Sequence, residues 1–200
     1  MFTRKEVEKI KSIGTPETHL FVEWLYGFNP QIRRGLEIGV SSGGSLACWQ
    51  VLLEPDGILI GIDFNVCDPV YGWIGVMEQA KKRFENDSRI HLLTADSRKE
   101  ETVEKVKELL GGKLLDFLYI DGEHSIEVAT SDYDLYSPLV KENGIIAFHD
   151  ATKNSNVRKA TENTCKVFDL RESKKVKYIC QFDSRKGHCG ILAFVKGTLE

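Results

Sequence analysis

Five short apolar stretches, "GLEIGV", "GILIGIDF", "RIHLLTAD", "LLDFLYIDG" and "NGIIAFHD", recur along this chain at nearly even spacing. Within them "ILIGI", "FLYI" and "GIIAF" lack the in–out alternation of a strand with one face in water. Such runs predict strands buried on both faces. Between them lie "GGSLACWQVLLE", "GVMEQAKKRFEN", "RKEETVEKVKELLGG" and "SIEVATSDYDLYSPLV", which read as helices. Strand–helix alternation of this kind predicts a doubly wound α/β fold, with helices on both faces of a parallel sheet.

Both ends of the chain depart from that rhythm. "RKEVEKIKSI" and "PETHLFVEWLYGF" predict two helices before the first strand, with Pro16 after Thr15 marking the second start. "KKVKYICQF" and "CGILAFVKG" are separated only by "DSRKGH". A parallel crossover needs more chain than that, so these two strands are expected to pair antiparallel. Two hundred residues, 42% of them hydrophobic, suit one domain with a sizeable core.

Bulk features narrow the function classes. No apolar run approaches the roughly 20 residues that span a bilayer, and "MFTRKEVEKIKSIG" has no signal-peptide core. Cys48, Cys67, Cys165, Cys180 and Cys189 include no C-x-x-C pair. Reduced thiols in a cytoplasmic protein are the expectation, with no membrane partner. A net charge of -3 argues against a nucleic-acid partner. From Lys153 to Lys186, however, ten Lys/Arg face four Asp/Glu. That stretch reads either as a solvated face or as an attractor for an anionic substrate.

In open α/β sheets, ligands bind beyond the carboxyl ends of the strands. Those ends carry Glu37 with a glycine loop, Asp63, Asp96, Asp121 and the pair His149–Asp150. Any one acid would pass as a turn residue; five at one edge predict a polar rim. The loop "GVSSGGS" fails the G-x-G-x-x-G dinucleotide fingerprint, because Ser41 stands where the second glycine is needed. Glu37 would also face a pyrophosphate unfavourably. A cationic ligand removes the conflict, and S-adenosylmethionine carries both an ammonium and a sulfonium. Asp63 is then placed for the ribose hydroxyls, and Asp96 with Ser97 for the adenine amino group.

"LEIGVSSGGS", "IGIDF", "LLTADS", "LDFLYIDGEHSIEVATSDYDLYSPLVKENGIIAFHD" and the closing strand pair resemble class I S-adenosylmethionine-dependent methyltransferases, from about Arg33 to Lys196. The stretch from "YIDGEH" to "AFHD" resembles the small-molecule and sugar O-methyltransferase branch that includes macrocin O-methyltransferase and cephalosporin hydroxylase-like proteins. The resemblance implies a mostly parallel, Rossmann-like sheet of seven strands with an antiparallel last strand. It implies a single domain over residues 1–200, with a helical lid at 1–30 and a cofactor-binding and catalytic core at 31–200. The acceptor it implies is a hydroxyl on a small molecule, a sugar or glycoconjugate precursor. Cofactor contacts are expected from Glu37, Gly39, Val40, Ser41, Ser42, Gly43, Ser45, Asp63, Asp96, Ser97 and Asp121.

In metal-dependent relatives a divalent cation is held by an acid ending the fourth strand and a polar pair ending the fifth. Asp121, His149 and Asp150 match those positions, and Mg2+ or Mn2+ is the expected ion. His149 departs from the usual oxygen donor, since magnesium prefers oxygen and imidazole suits softer metals. It stands as a ligand, a second base or a substrate contact. His124 falls where catechol O-methyltransferase has its general-base lysine. Its ordinary pKa of about 6.5 suits proton transfer at neutral pH; its other reading is a helix-start residue bonded to its own loop. Glu123 reads as a metal neighbour or a helix-start acid. Tyr71, Trp73 and Met77 border the substrate pocket or form a satellite cluster. A nicotinamide-dependent oxidoreductase and a non-catalytic cofactor-binding subunit are the rival classes. Homo-oligomerisation is left open.

Overall fold

The computed structural model describes residues 3–28, 30–64, 75–151, 176–183 and 190–197. Two helices, α1 (Arg4–Lys11) and α2 (Pro16–Phe28), lead into β1 (Ile32–Ile38). Then follow α3 (Gly44–Leu52), β2 (Leu53–Asp63), α4 (Val76–Phe84), β3 (Ile90–Thr94), α5 (Glu100–Leu110) and β4 (Leu115–Ile120). The chain continues through α6 (Ile126–Tyr136), β5 (Val140–Phe148), β6 (Val176–Asp183) and β7 (Gly190–Lys196). Tyr71, Trp73, Cys67, Cys165, Cys189, His188 and most of the basic stretch from Lys153 to Lys186 lie outside the described residues.

The strands form one sheet in the order β3-β2-β1-β4-β5-β7-β6. β1 to β5 run parallel, and β7 enters antiparallel between β5 and β6. This is the expected seven-stranded, mostly parallel sheet. Consecutive strand residues alternate between two cores, which explains why no polar residue interrupts them. Ile32, Leu59, Phe117, Tyr119, Ile145 and Ala147 face one core. Leu36, Ile60, Leu118, Ile120, Ile146 and Phe148 face the other.

The helices cover both faces for legible reasons. α5 buries Thr102, Val103, Val106 and Leu110 at helical spacing, with Glu100 and Glu101 in its first turn and Lys107 in its last. Those charges complement the helix dipole. α6 is capped by Ser125, whose side chain accepts from the backbone N–H of Val128. The two leading helices are part of the first core rather than an appendage. Val7, Ile10, Phe21, Val22 and Leu25 are fully buried there. The Phe21 ring lies 5.7 Å from that of Trp49 and 6.2 Å from that of Phe117.

Two strands begin earlier than the periodicity suggests. Leu53 and Val140 read as helix tails, yet they open β2 and β5. Each pairs with a neighbour (Leu53 with Ile32, Val140 with Leu115) before the register jumps to Ile58 and Ile145. An apolar residue following a leucine fits either period, so spacing alone does not separate the two states. Among the described residues, no helix is long and apolar enough to cross a membrane.

At this amino end of the sheet, Asp116 of β4 is 4% exposed. It accepts from the backbone N–H groups of Arg33 at 2.8 Å and Arg34 at 2.7 Å, and pairs with Lys141 at 2.5 Å. Removing it strands two amides and two cations at once. Asp116→Ala is therefore expected to destabilise the fold by about 3 kcal/mol, the usual range for breaking such a network. Urea unfolding of the variant beside the parent measures it.

Candidate functional site

The functional edge is assembled by backbone hydrogen bonds that continue the parallel ladder past the strand ends. Gly39 N donates to Ile62 O at 2.8 Å, Asp121 N to Ile38 O at 2.7 Å, and His149 N to Ile120 O at 2.9 Å. Ala95 N donates to Asp63 O at 3.0 Å. Each loop thus leaves its strand locked to the neighbouring one. Strand order reverses between β1 and β4, the switch point where open sheets bind ligands. There Gly39 adopts φ +89°, and a Cβ on it would lie 1.9 Å from the Asp121 carbonyl oxygen. Only glycine fits.

Above this point opens a cleft of about 760 Å3. Its lining includes Gly39, Ser41, Asp63, Asp96, Ser97, Asp121, His124, His149 and Asp150. Glu37, Val40, Ser42, Gly43 and Ser45, also expected as contacts, stand outside that lining. Val40 is 1% exposed and belongs to the first core. Gly43 is buried against Phe84. Glu37 lies fully buried beneath the loop, where Ser45 Oγ donates to its Oε1. Its other oxygen has no hydrogen-bond partner among the described residues. Burial pushes the Glu37 carboxyl well up, with Ser45 working against it. Asp63 Oδ2 accepts from Ser41 N at 2.7 Å, tying the second strand end to the glycine loop.

The turn after β3 differs from expectation in its partners. Arg98 grips Asp96 through both carboxylate oxygens, Nε to Oδ1 at 2.9 Å and Nη2 to Oδ2 at 3.0 Å. That guanidinium holds Asp96 below the usual carboxylate range. Ser97 is held from α6 instead, where its Oγ donates to Asp132 Oδ1 at 2.6 Å and its carbonyl accepts from the Tyr136 hydroxyl at 2.7 Å. Asp132 is 0% exposed, and its Oδ2 has no hydrogen-bond partner among the described residues. Burial pushes its pKa from the ordinary 3.8 to about 6.

On the opposite side of the cleft, acids and imidazoles converge. His124 Nε2 lies 3.3 Å from Asp150 Oδ2 and 3.9 Å from Asp121 Oδ1. Asp121, His124 and Asp150 can place one donor atom each within 4.8 Å of the others, a spacing that suits a cation. His149 Nδ1 comes to 3.2 Å of Asp121 Oδ1 and 3.5 Å of Asp150 Oδ2, but neither approach has hydrogen-bond geometry. Burial opposes a charge on His149. The two carboxylates outweigh it and push its pKa up to about 11. The same carboxylates raise His124. From α2, the buried Glu17 brings Oε1 to 3.5 Å of His149 Nε2. Asp150 and Ser41 adopt left-handed backbone at φ +52° and +49°. Both line the cleft, where such strain is commonly stored.

Glu17, Arg98, Asp132 and Tyr136 were not among the expected residues. Asp132 had a signal: Val128, Ala129, Asp132 and Tyr136 form the buried face of α6 at helical spacing, and only one of them is charged. The remaining candidates resolve simply. His19 Nε2 lies 2.9 Å from Gly14 O. Met77 is buried in the first core, and Trp49 is fully buried there. His91 sits within β3, opposite Ile60. Glu123 borders the cleft and accepts from Ser125 N at 3.2 Å, as a helix-start acid does. Cys48 is buried with its thiol pushed up to about 12, an inert group.

A model of the methyltransferase-domain family matches residues 36–151, more than half of the chain. The chain belongs to that family, and its sheet is that of class I S-adenosylmethionine-dependent methyltransferases. An O-methyltransferase from Bacillus cereus in complex with S-adenosylhomocysteine superimposes with TM-score 0.65 at 15% identity, over 98% of this chain and 93% of that one. An O-methyltransferase-like protein from Klebsiella pneumoniae gives 0.67 at 13% identity, over 99% and 92%. The MycE methyltransferase of the mycinamycin pathway, solved with Mg and S-adenosylhomocysteine, gives 0.62 at 17% identity, over 96% and 55%. No curated protein matches the sequence.

The raised Asp132 carboxyl sets a pH dependence. A group that binds its proton more tightly when folded contributes nothing below its unfolded pKa near 4. Above the folded value of about 6 it costs the fold about 3 kcal/mol. Stability from this residue therefore falls as pH rises from 4 to 6. Asp132→Asn, which cannot ionise, is expected to gain on the parent by up to that amount between pH 4 and pH 7. Urea unfolding at the two pH values reads the difference.

Proposed function

We propose that this methyltransferase transfers its methyl group to a hydroxyl of a small molecule, with a sugar or glycoconjugate precursor as acceptor and a divalent cation in assistance. The observation that carries the reading is one cleft holding two different ends. On one side stand the glycine loop and Asp63. On the other, Asp121, His124 and Asp150 bring their donor atoms within 4.8 Å.

S-adenosylmethionine, when bound, would supply a sulfonium methyl to the acceptor oxygen, its carbon–sulfur bond breaking to leave S-adenosylhomocysteine. The chain's residues would divide the remaining work. Gly39 lets the loop and the Asp121 carbonyl close on one another beneath the methionine end, where the buried Glu37 complements its positive charge. Asp63 takes the ribose hydroxyls, and the turn at Asp96–Ser97 borders the adenine. A hydroxyl is a poor nucleophile until its proton is managed. His124, half exposed at the cleft mouth, receives that proton, with Asp121 and Asp150 beside it to take up the charge.

The cation reading draws support from this chain's own atoms. Two carboxylates and an imidazole converge, and the buried His149 Nδ1 beside them lacks a hydrogen-bond partner among the described residues. Asp121 and Asp150 would hold the ion with His149 as the third donor, leaving His124 to the proton. Mixed oxygen and nitrogen donors suit Mn2+ and accommodate Mg2+. Such an ion lowers the pKa of a bound hydroxyl. The N-terminal helices serve this side as the lid through Glu17, within one domain. Five cysteines with no C-x-x-C pair support a reducing, cytoplasmic setting, and a net charge of -3 supports a small molecule rather than nucleic acid as partner.

Calorimetry is expected to show 1:1 binding of S-adenosylmethionine and S-adenosylhomocysteine. Absence of both at millimolar ligand would defeat the cofactor assignment. Against a panel of hydroxylated sugar acceptors, His124→Ala should cost on the order of 100-fold in turnover and leave S-adenosylhomocysteine affinity within about twofold. Unchanged turnover would remove His124 from the chemistry. Dialysis against EDTA should abolish turnover and Mn2+ or Mg2+ should restore it; full activity after chelation would exclude the ion.

A further inference from the structure

At the adenine end of the cleft, the residue best placed by sequence is occupied, and a different carboxylate is committed. Asp96 has both oxygens engaged by Arg98. Asp132 sits on α6, 35 positions further along the chain, and contacts both walls of the cleft. Its Oδ1 accepts from Ser97 on the wall after β3. Its Oδ2 lies so close to Gly122, on the wall after β4, that a Cβ there would stand 3.2 Å from it. One helical turn later Tyr136 donates to the Ser97 carbonyl. Ser97 is therefore held at its hydroxyl and its carbonyl by two residues of one helix face. No backbone carbonyl accepts from its N–H among the described residues.

A fully buried carboxylate that, among the described residues, has no ion pair and one oxygen unsatisfied is costly to keep. The charged groups nearest to it are Asp96 and Glu123, which oppose its ionisation, and Arg98, which favours it. Arg98 is spoken for by Asp96. Packing does not account for the residue, because an apolar side chain on this buried helix face would fill the space without that cost. What Asp132 does that an apolar residue cannot is fix the rotamer of Ser97 from behind.

We propose that Asp132, with Tyr136, is a positioning residue for the adenine subsite. By holding the Ser97 hydroxyl and carbonyl it presents the Ser97 N–H to a ring nitrogen acceptor of the purine, and so sets the preference for adenine over a 6-oxo purine. Adenine accepts at N1, whereas hypoxanthine carries a hydrogen there. This inference rests on the cofactor assignment above.

The test compares S-adenosylhomocysteine with S-inosylhomocysteine by calorimetry, using the intact protein. In the parent, the adenine compound is expected to bind at least tenfold more tightly. Asp132→Ala and Ser97→Ala should each weaken its binding about tenfold and bring the preference to within threefold of unity. The double variant should lose no more than either single one, because the two residues act through one contact. Asp132→Asn keeps the acceptor for Ser97 Oγ and should stay within about threefold of the parent on both measures. Tyr136→Phe, which removes the second hold, should lose part of the preference and serves if Asp132→Ala does not fold.

An Asp132→Ala protein with parental affinity and preference, or additive losses in the double variant, would overturn the inference. A parent that binds S-adenosylhomocysteine with no preference over the inosine compound would overturn it while leaving the cofactor assignment intact. A parent that binds neither compound would remove the cofactor assignment, and this inference with it.

Discussion

The parallel ladder does not stop where the strands stop, and the functional edge depends on that. Gly39, Asp121 and His149 each leave a strand and donate at once to a carbonyl at the end of the neighbouring strand. Three loops with unrelated sequences are thereby held in one register without a side chain taking part. The near-contact of Gly39 with the Asp121 carbonyl follows from the same stitching. Side chains at 121, 124, 149 and 150 can then meet because their backbones were already fixed relative to each other. Preorganised backbone of this kind is what a displacement reaction needs, since misplacement by an ångström is costly in rate.

The two ends of the sheet treat buried acids in opposite ways. At the amino end Asp116 is surrounded by cations and amides, with Arg34, Lys141 and two backbone N–H groups satisfying it. At the carboxyl end Glu37 and Asp132 are buried at least as deeply, but no hydrogen-bond partner reaches one oxygen of each among the described residues. Their pKa values rise in consequence. The first arrangement strengthens the fold. The second weakens it and leaves uncompensated acid around the cleft, which agrees with a sulfonium cofactor.

Most of the architecture was legible because it rests on apolar periodicity and local chemistry. Strands buried on both faces announce themselves as unbroken apolar runs, and the acids at their ends mark the ligand edge directly. The short "DSRKGH" connection sufficed to predict an antiparallel pair. What stayed hidden depends on approach between distant segments. Glu17 reaches His149 across more than half the chain, and Asp132 reaches Ser97 across the sheet's edge. Spacing carries no record of either. Val40 shows the converse: it stands in the glycine loop expected to hold the cofactor, yet its side chain turns into the core. Asp96 lines the cleft as expected, but the spacing gave no sign that the arginine two residues later would hold both its oxygens.

The burial of Glu17 against His149 has a consequence for where this protein can be divided. Nothing in the family match, which begins at residue 36, assigns the first 28 residues a part in the enzyme. Yet α2 supplies Phe21 to the aromatic cluster around Trp49 and a carboxylate beside His149. A catalytic unit cut at the start of β1 for transplantation or fusion would lose a wall of its core and a neighbour of its histidine together. A transferable module therefore has to include α1 and α2, upstream of the matched residues 36–151.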